Sequence, residues 1–144
     1  MTSEPPWNRI WTVTDYHDGP RGGIADLLGV PHVYACEFDE TLDEYSDRFR
    51  LSPIDADVLG LAMEDWAIWC RFADAVYAGF VSNDQRPPLP RDRARHEELR
   101  LLIGTRLEIG PGQPITMRGE FRPSIARARH PDDAVRWFPI FAGE

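Results

Sequence analysis

Hydrophobic and polar residues alternate along the first fifty positions of the chain, with interruptions rich in glycine, proline and aspartate. Alternation with a period of two is typical of β-strands, because successive side chains point to opposite faces. It places Trp11 and Val13 on one face of the first strand and Ile10 on the other. The interruptions are turn signals, so the segment is predicted to be a β-meander. Four strands are predicted, over residues 8–16, 23–28, 32–39 and 48–51.

From Ser52 onward the apolar positions recur with a helical period. Ser52 is predicted to cap the helix, because its hydroxyl can accept a backbone N–H of the first turn and Pro53 suits the first helical position. The apolar side chains cover a broad arc that includes Tyr77 and extends to about Phe80. This segment is therefore predicted to be the central core helix.

The remainder of the chain contributes a second helix and two more strands. The helix is predicted over about 91–106, after a proline-rich linker. Residues 114–122 alternate most cleanly and predict an antiparallel strand with one face in water. A last apolar strand is predicted over 135–141. The core-facing positions of the earlier strand are predicted to be Ile115, Met117, Gly119 and Phe121.

Strands followed by two helices and then by more strands predict an α+β protein. We expect an antiparallel sheet, curved or partly barrelled, with a helical hairpin inserted between the N-terminal and the C-terminal strands. Residues 1–6 are expected to be a loose tail and residues 7–144 a single domain, since a chain of this length can bury its own core. The expected segments of that domain are a β-meander over 7–51, two helices over 52–106 and C-terminal strands over 113–141.

The net charge of −8 restricts the class of partner. Nucleic-acid-binding proteins carry a basic patch, so we expect no nucleic-acid partner. All sixteen basic residues are arginine, and a chain without lysine cannot use a Schiff-base or Walker-type lysine. Residues 39–48 are strongly acidic and are expected to be solvated. The stretch 37–47 could attract a basic protein partner through its charge.

The cellular setting is expected to be cytoplasmic. The first residues, Met-Thr-Ser-Glu-Pro-Pro, lack the basic and apolar regions of a signal peptide, and no apolar run approaches membrane length. Cys36 and Cys70 both fall in apolar patterns, so each is predicted to be a small buried hydrophobic residue rather than half of a disulfide.

Most of the polar side chains that could bind a ligand or take part in catalysis lie in or beside the first turn. Asp15 and His17 share a strand face and could meet His32 across a hairpin. His32 and Cys36 also share a face, but four residues of a straight strand span about 13 Å, which is too far for one metal ion. Because no ligand motif is completed, neither a metal nor another cofactor is expected.

Arg21 lies in the same turn, among glycines whose backbone N–H groups could bind an anion. The spacing matches neither phosphate-binding fingerprint, and Asp18 would repel an anion. A structural turn that needs glycine for its conformation is therefore favoured. The candidate binding residues at this end of the chain are Asp15, His17, Arg21 and His32.

Asp65 is the fifth candidate, because it falls inside the apolar arc of the long helix. A buried carboxylate is costly unless it is paired or protonated. The favoured interpretation is an ion pair with an arginine from the sheet, such as Arg118 or Arg122. The alternative is a pocket-lining carboxyl group with a raised pKa.

Two stretches, Trp-Thr-Val-Thr-Asp-Tyr at 11–16 and Met-Glu-Asp-Trp-Ala-Ile-Trp at 63–69, resemble a family of small, uncharacterised bacterial proteins. The resemblance implies a bacterial origin and carries no activity. No nucleophile motif is present, so catalysis is disfavoured. We expect a non-catalytic protein-binding module. One version is an inhibitor or immunity-type protein that blocks a basic partner through the acidic stretch 37–47. The alternative is a small enzyme or an anionic-ligand binder with its site at the 15–21 turn and His32, where His17, Arg21 and His32 would have to converge.

Overall fold

The computed structural model describes residues 4–82, 84–109, 112, 114–122 and 133–141. The predicted α+β class is confirmed: six antiparallel strands form a closed barrel, and two helices are inserted between the fourth and fifth strands. The strands are β1 (Asn8–Tyr16), β2 (Pro20–Leu27), β3 (Val30–Asp39), β4 (Glu44–Pro53), β5 (Ile115–Phe121) and β6 (Ala134–Pro139). The helices are α1 (Ala56–Tyr77) and α2 (Arg93–Ile103), with a single 3-10 turn, Pro90–Asp92, before α2.

Every strand of the barrel pairs with its neighbour in the chain, and β6 returns to pair with β1. This last pairing is short and joins Asn8 to Val135 and Arg9 to Ala134. Closure removes the exposed edges that an open sheet would present. The sheet that the sequence predicts to be curved or partly barrelled is thus a complete barrel.

The described chain forms two compact units. One is the barrel, formed by the described residues up to Ile54 and from Glu108 onward, and the other is the pair of helices, formed by the described residues between Asp55 and Leu107. The insertion of one unit into the chain of the other means that β4 and β5, neighbours in the barrel, are separated by the whole helical segment.

Four aromatic rings from four strands pack together inside the barrel. Tyr34, Phe49, Phe121 and Trp137 are all in mutual contact, with every pair of ring centroids between 5.4 and 6.0 Å apart. The pairs are tilted or edge-on, which are the favoured arrangements of aromatic rings. Hereafter these residues are called the four-ring cluster. Burial raises the pKa of the Tyr34 phenol, and its hydroxyl donates to the Thr12 carbonyl at 3.2 Å.

The predicted alternation fails in β1. Ile10 and Val13 both belong to the buried core, whereas Trp11 is only half-buried and donates its indole N–H to Asp26. Irregular pairing between Ile10 and Thr12 shifts the register there, and a β-bulge turns the following residues to the opposite face. The backbone of Thr12 lies close to Gly23 in the neighbouring strand.

Two other strand predictions need correction. β4 begins at Glu44, well before the predicted strand over 48–51, so the second half of the acidic stretch is paired in the sheet. Charged residues on its outer face hide the alternation of this strand. In β5, Met117, Gly119 and Phe121 take inner positions as predicted, but Ile115 is 47% exposed at the strand's start.

The helical unit begins later than predicted. Asp55 caps α1 by accepting the Val58 N–H at 2.9 Å, whereas Ser52 still belongs to β4. Tyr77 and Phe80, predicted to lie in the apolar arc, are 95% and 86% exposed because the helix ends at Tyr77. The residues of α1 that are buried are Val58, Ala62, Trp66, Ile68 and Phe72.

A bidentate ion pair joins α1 to the turn before α2. The Arg71 guanidinium donates to both carboxylate oxygens of Asp92, at 3.0 and 2.9 Å. This contact holds the pKa of the Asp92 carboxyl below its usual range. Bidentate pairs of this kind fix the relative orientation of the two side chains as well as pairing their charges.

The close approach of Gly23 to β1 leads to a first prediction. A Cβ added at Gly23 would collide with the Thr12 carbonyl and would lie 2.9 Å from the Tyr34 hydroxyl oxygen. Gly23→Ala should therefore lower the free energy of unfolding by about 2–3 kcal/mol, because a backbone carbonyl cannot move aside without breaking strand pairing.

Denaturant unfolding of Gly60→Ala is the matched control. Gly60 lies within α1 and nothing lies close to the site of its missing Cβ. Alanine there should raise the free energy of unfolding by up to about 1 kcal/mol, since alanine is the better helix former. Equal effects of the two substitutions would contradict the close approach at Gly23.

Candidate functional site

One end of the barrel contains a cavity of about 510 Å³. It lies where β1, β3 and β5 end and where β2 and β4 begin. Its apolar wall comes from inward-facing residues of these strands, and its rim carries the polar residues. The apolar lining residues are Ile10, Val13, Phe49, Gly119 and Phe121. Those at the rim are Tyr16, Asp18, Gly19, Pro20, Arg21, Tyr45, Ser46, Asp47 and Arg122.

The four-ring cluster forms the floor of this cavity. Phe49 and Phe121 line the cavity and belong to the cluster, whereas the other two rings of the cluster lie behind them. Gly119 permits this packing, since a Cβ at that position would lie 2.8 Å from the Trp137 ring and 3.0 Å from Phe49. The aromatic rings thus fill one part of the barrel and leave the rest open.

Arg21 is held at the rim by two backbone carbonyls and an aromatic ring. Its Nε donates to the His17 carbonyl at 2.8 Å, and its Nη2 donates to the Asp18 carbonyl at 3.2 Å. The guanidinium also lies over the Tyr45 ring, 4.7 Å from the centroid. The first turn and the start of β4 therefore meet at the cavity through this side chain.

The structure brings three of the five predicted site residues together. His17 lies against Tyr45, with 5.9 Å between ring centroids, and its Nε2 is 3.4 Å from Asp15 Oδ1. Both side chains are more than half exposed, so the pair sits on the outside of the rim. Of these three residues, only Arg21 lines the cavity itself.

The structure does not bring His32 to this group. His32 pairs with Ala25 and Pro53 at the opposite end of the barrel, where it is buried and its Nδ1 is 2.7 Å from the Val30 carbonyl. Asp15 is opposite Gly22, whose partner on β3 is Ala35. Three strand residues, about 10 Å, therefore separate His32 from that level of the sheet. The convergence of His17, Arg21 and His32 is not formed.

Asp65 is partly buried, and its partner within the helical unit is a histidine. Its Oδ1 lies 2.6 Å from His96 Nδ1, so it bridges α1 and α2. The two arginines that were predicted as partners of Asp65 each have a guanidinium over an aromatic ring: Arg118 over Phe138 and Arg122 over Trp7.

Cys36 lies beside the rim as a half-buried thiol. Its Sγ donates to the Ser46 carbonyl at 3.1 Å and is 3.9 Å from Arg21 Nη1. Burial raises the pKa of the Cys36 thiol, and the nearby guanidinium opposes that rise only in part. A raised pKa is the reverse of what a nucleophilic cysteine needs at neutral pH. Neither Cys36 nor Cys70 is in a disulfide.

Several lining residues were missed by the sequence analysis. Tyr45 and Asp47 lie in the acidic stretch that was expected to be solvated, and Phe49 lies in the strand whose alternation is partly hidden. A tyrosine and a phenylalanine four residues apart are a weak signal of one strand face, and a register shift in the β3–β4 pairing weakens it further.

Metal binding finds no support among the residues that the structure describes. Within them, no three histidine, cysteine, aspartate or glutamate side chains are grouped closely enough to hold an ion.

The thiol of Cys36 allows a second prediction. In the Cys70→Ser variant, Cys36 is the one thiol left for iodoacetamide to alkylate, and the alkylation rate should rise with pH. The pH midpoint of that rise should be higher for the folded protein than for the same protein unfolded in urea. Arg21→Gln should move the folded midpoint higher still, because it removes the positive charge that lowers this pKa. A folded midpoint below that of the unfolded chain would instead identify an activated thiolate.

Comparison with known proteins assigns no family to this chain: no family model, no curated protein and no solved structure matches it. Across the described ranges, none of the helices has both the length and the apolar character required to cross a membrane. The cavity and its rim are therefore the observations from which function must be argued.

Proposed function

We propose that the barrel binds a small, largely apolar ligand in the cavity at its open end. The observation that carries this proposal is a cavity of about 510 Å³ that is lined by apolar side chains and also by a few polar ones. Ligand sites in proteins are commonly concave, apolar and of this size, with a few polar groups that orient the ligand. The mouths of β-barrels are a frequent place for such sites.

The chemistry of the lining supports binding. Phe49 and Phe121 offer ring surface to an apolar ligand, and Ile10 and Val13 offer aliphatic surface beside them. Burial of the ligand against these side chains would supply most of the affinity, at roughly 25 cal/mol per Å² of apolar surface removed from water. Polar groups at the rim would keep one end of the ligand in contact with water.

Binding without catalysis is the proposal that fits the titratable groups best. The Cys36 thiol has a raised pKa, and the Asp15–His17 pair faces solvent outside the cavity. His32, which the enzyme interpretation required, lies at the other end of the barrel.

We also propose a cytoplasmic setting, which the absence of a disulfide between Cys36 and Cys70 supports.

A cavity-filling substitution tests the proposal. Val13→Phe places a ring into the cavity from β1 and should reduce the affinity for 1-anilinonaphthalene-8-sulfonate, a dye with an apolar ring system and one sulfonate group, by at least tenfold. The thermal midpoint should stay unchanged or rise, because filling a cavity often stabilises a protein. The measurement is a fluorescence titration of the folded protein.

Val30→Phe is the matched control. Val30 begins β3 at the opposite end of the barrel and is 45% exposed, so the same substitution there leaves the cavity unfilled. Its affinity for the dye should equal that of the wild type. Equal dye binding by all three proteins, or no binding by the wild type, would refute the proposal.

A second candidate function is the binding of a basic protein by the hairpin of β3 and β4. Phe38 and Leu42 are 47% and 64% exposed there, between acidic residues of the stretch 37–47. Apolar side chains ringed by one sign of charge are typical of interaction surfaces. An inhibitor or immunity-type protein would use such a surface.

Charge reversal tests this second candidate. Glu40→Arg combined with Asp43→Arg should abolish capture of a basic partner from a lysate of the native host. Glu97→Arg with Glu108→Arg, which reverses two exposed charges outside the hairpin, should leave that capture intact. Capture that is equal for both variants, or no capture by the wild type, would count against this function.

A further inference from the structure

We infer that the ligand of this cavity carries a carboxylate, held at the rim by Arg21. The inference rests on the proposed function and names the chemical class of its ligand: an apolar body with one carboxylate at its end. The apolar body would lie on Phe49 and Phe121, and the carboxylate would face the first turn.

Arg21 has N–H groups left to donate. A guanidinium carries five N–H donors. Contacts with the His17 carbonyl, the Asp18 carbonyl and the Cys36 sulfur account for three of them, and the sulfur is a weak acceptor at 3.9 Å. Counted over the residues that the structure describes, two donors stay available on a side chain that lines the cavity. A carboxylate is the acceptor that matches paired guanidinium donors.

The position of Arg21 is set before any ligand arrives. Two carbonyl contacts and the Tyr45 ring hold the guanidinium, so little side-chain freedom is lost when a carboxylate binds. Preorganisation of this kind distinguishes a binding arginine from a solvated surface arginine.

Asp18 and Asp47 also lie on the rim and would repel a carboxylate. Both are exposed, whereas Arg21 and Arg122 are partly buried. Exposed charges are screened by water and salt more strongly than partly buried ones. The balance between these positive and negative charges therefore favours a negative group beside Arg21. The two aspartates exclude a second negative charge farther from Arg21.

Three ligands that share the naphthalene ring system but differ in head group separate the contribution of the head group to affinity from that of the apolar body. Isothermal titration calorimetry would compare naphthalene-2-carboxylate, naphthalene-2-carboxamide and 2-naphthylmethylammonium on the wild-type protein. The carboxylate should bind at least tenfold more tightly than the carboxamide, and the ammonium compound should bind most weakly. In Arg21→Gln, the carboxylate should fall to the affinity of the carboxamide, whose own affinity should change by less than about twofold.

Arg50→Gln is the control for loss of charge, because Arg50 is an exposed residue of β4 that does not line the cavity. It should keep the preference for the carboxylate. Equal binding of the carboxylate and the carboxamide by the wild type would overturn this inference and leave the proposed function standing. A preference that survives in Arg21→Gln would overturn the role of Arg21. Failure of all three compounds to bind would overturn the proposed function as well.

Discussion

The mutual contact of four aromatic rings inside the barrel is the constraint on which the other features depend. Tyr34, Phe49, Phe121 and Trp137 come from four different strands, so each strand must present the correct face at the correct level for all six ring pairs to form. A slip of one residue in any of these strands would turn its ring to the outside. The cluster thus links the register of β3, β4, β5 and β6 across a chain that the helical insertion interrupts.

The same cluster explains why a cavity exists at all. Large rings in mutual contact fill part of the barrel interior, and glycine at position 119 is what allows two of them to pack against β5. The cavity beside them is also lined by the smaller side chains Ile10 and Val13, and its volume is about 510 Å³. The binding function that we propose depends on this space inside the barrel.

The periodicity of the chain predicts the class and order of the elements, but the features of the site depend on contacts between distant residues. Alternation identified β5 and its inward Phe121, while a bulge near Thr12 broke the same rule in β1. Helical periodicity identified the inward side of Asp65 but not its partner His96, thirty-one residues away. The glycine-rich turn identifies Arg21 as a candidate from the sequence alone. Its place at the cavity depends on contact with Tyr45, a residue of another strand that is distant in the sequence. His32 was misplaced because strand register is not visible in one sequence.

Backbone amide chemical shifts during titration with naphthalene-2-carboxylate test the central claim most directly, since they locate the bound ligand on the folded protein. The account predicts that the perturbed amides belong to the lining and rim of the cavity, at 10–21, 45–49 and 119–122. Amides of the opposite end, around Leu28 and Gly29, and those of α1 and α2 should keep their positions. Perturbations centred on the helices or on the opposite end, with the open end unchanged, would contradict it.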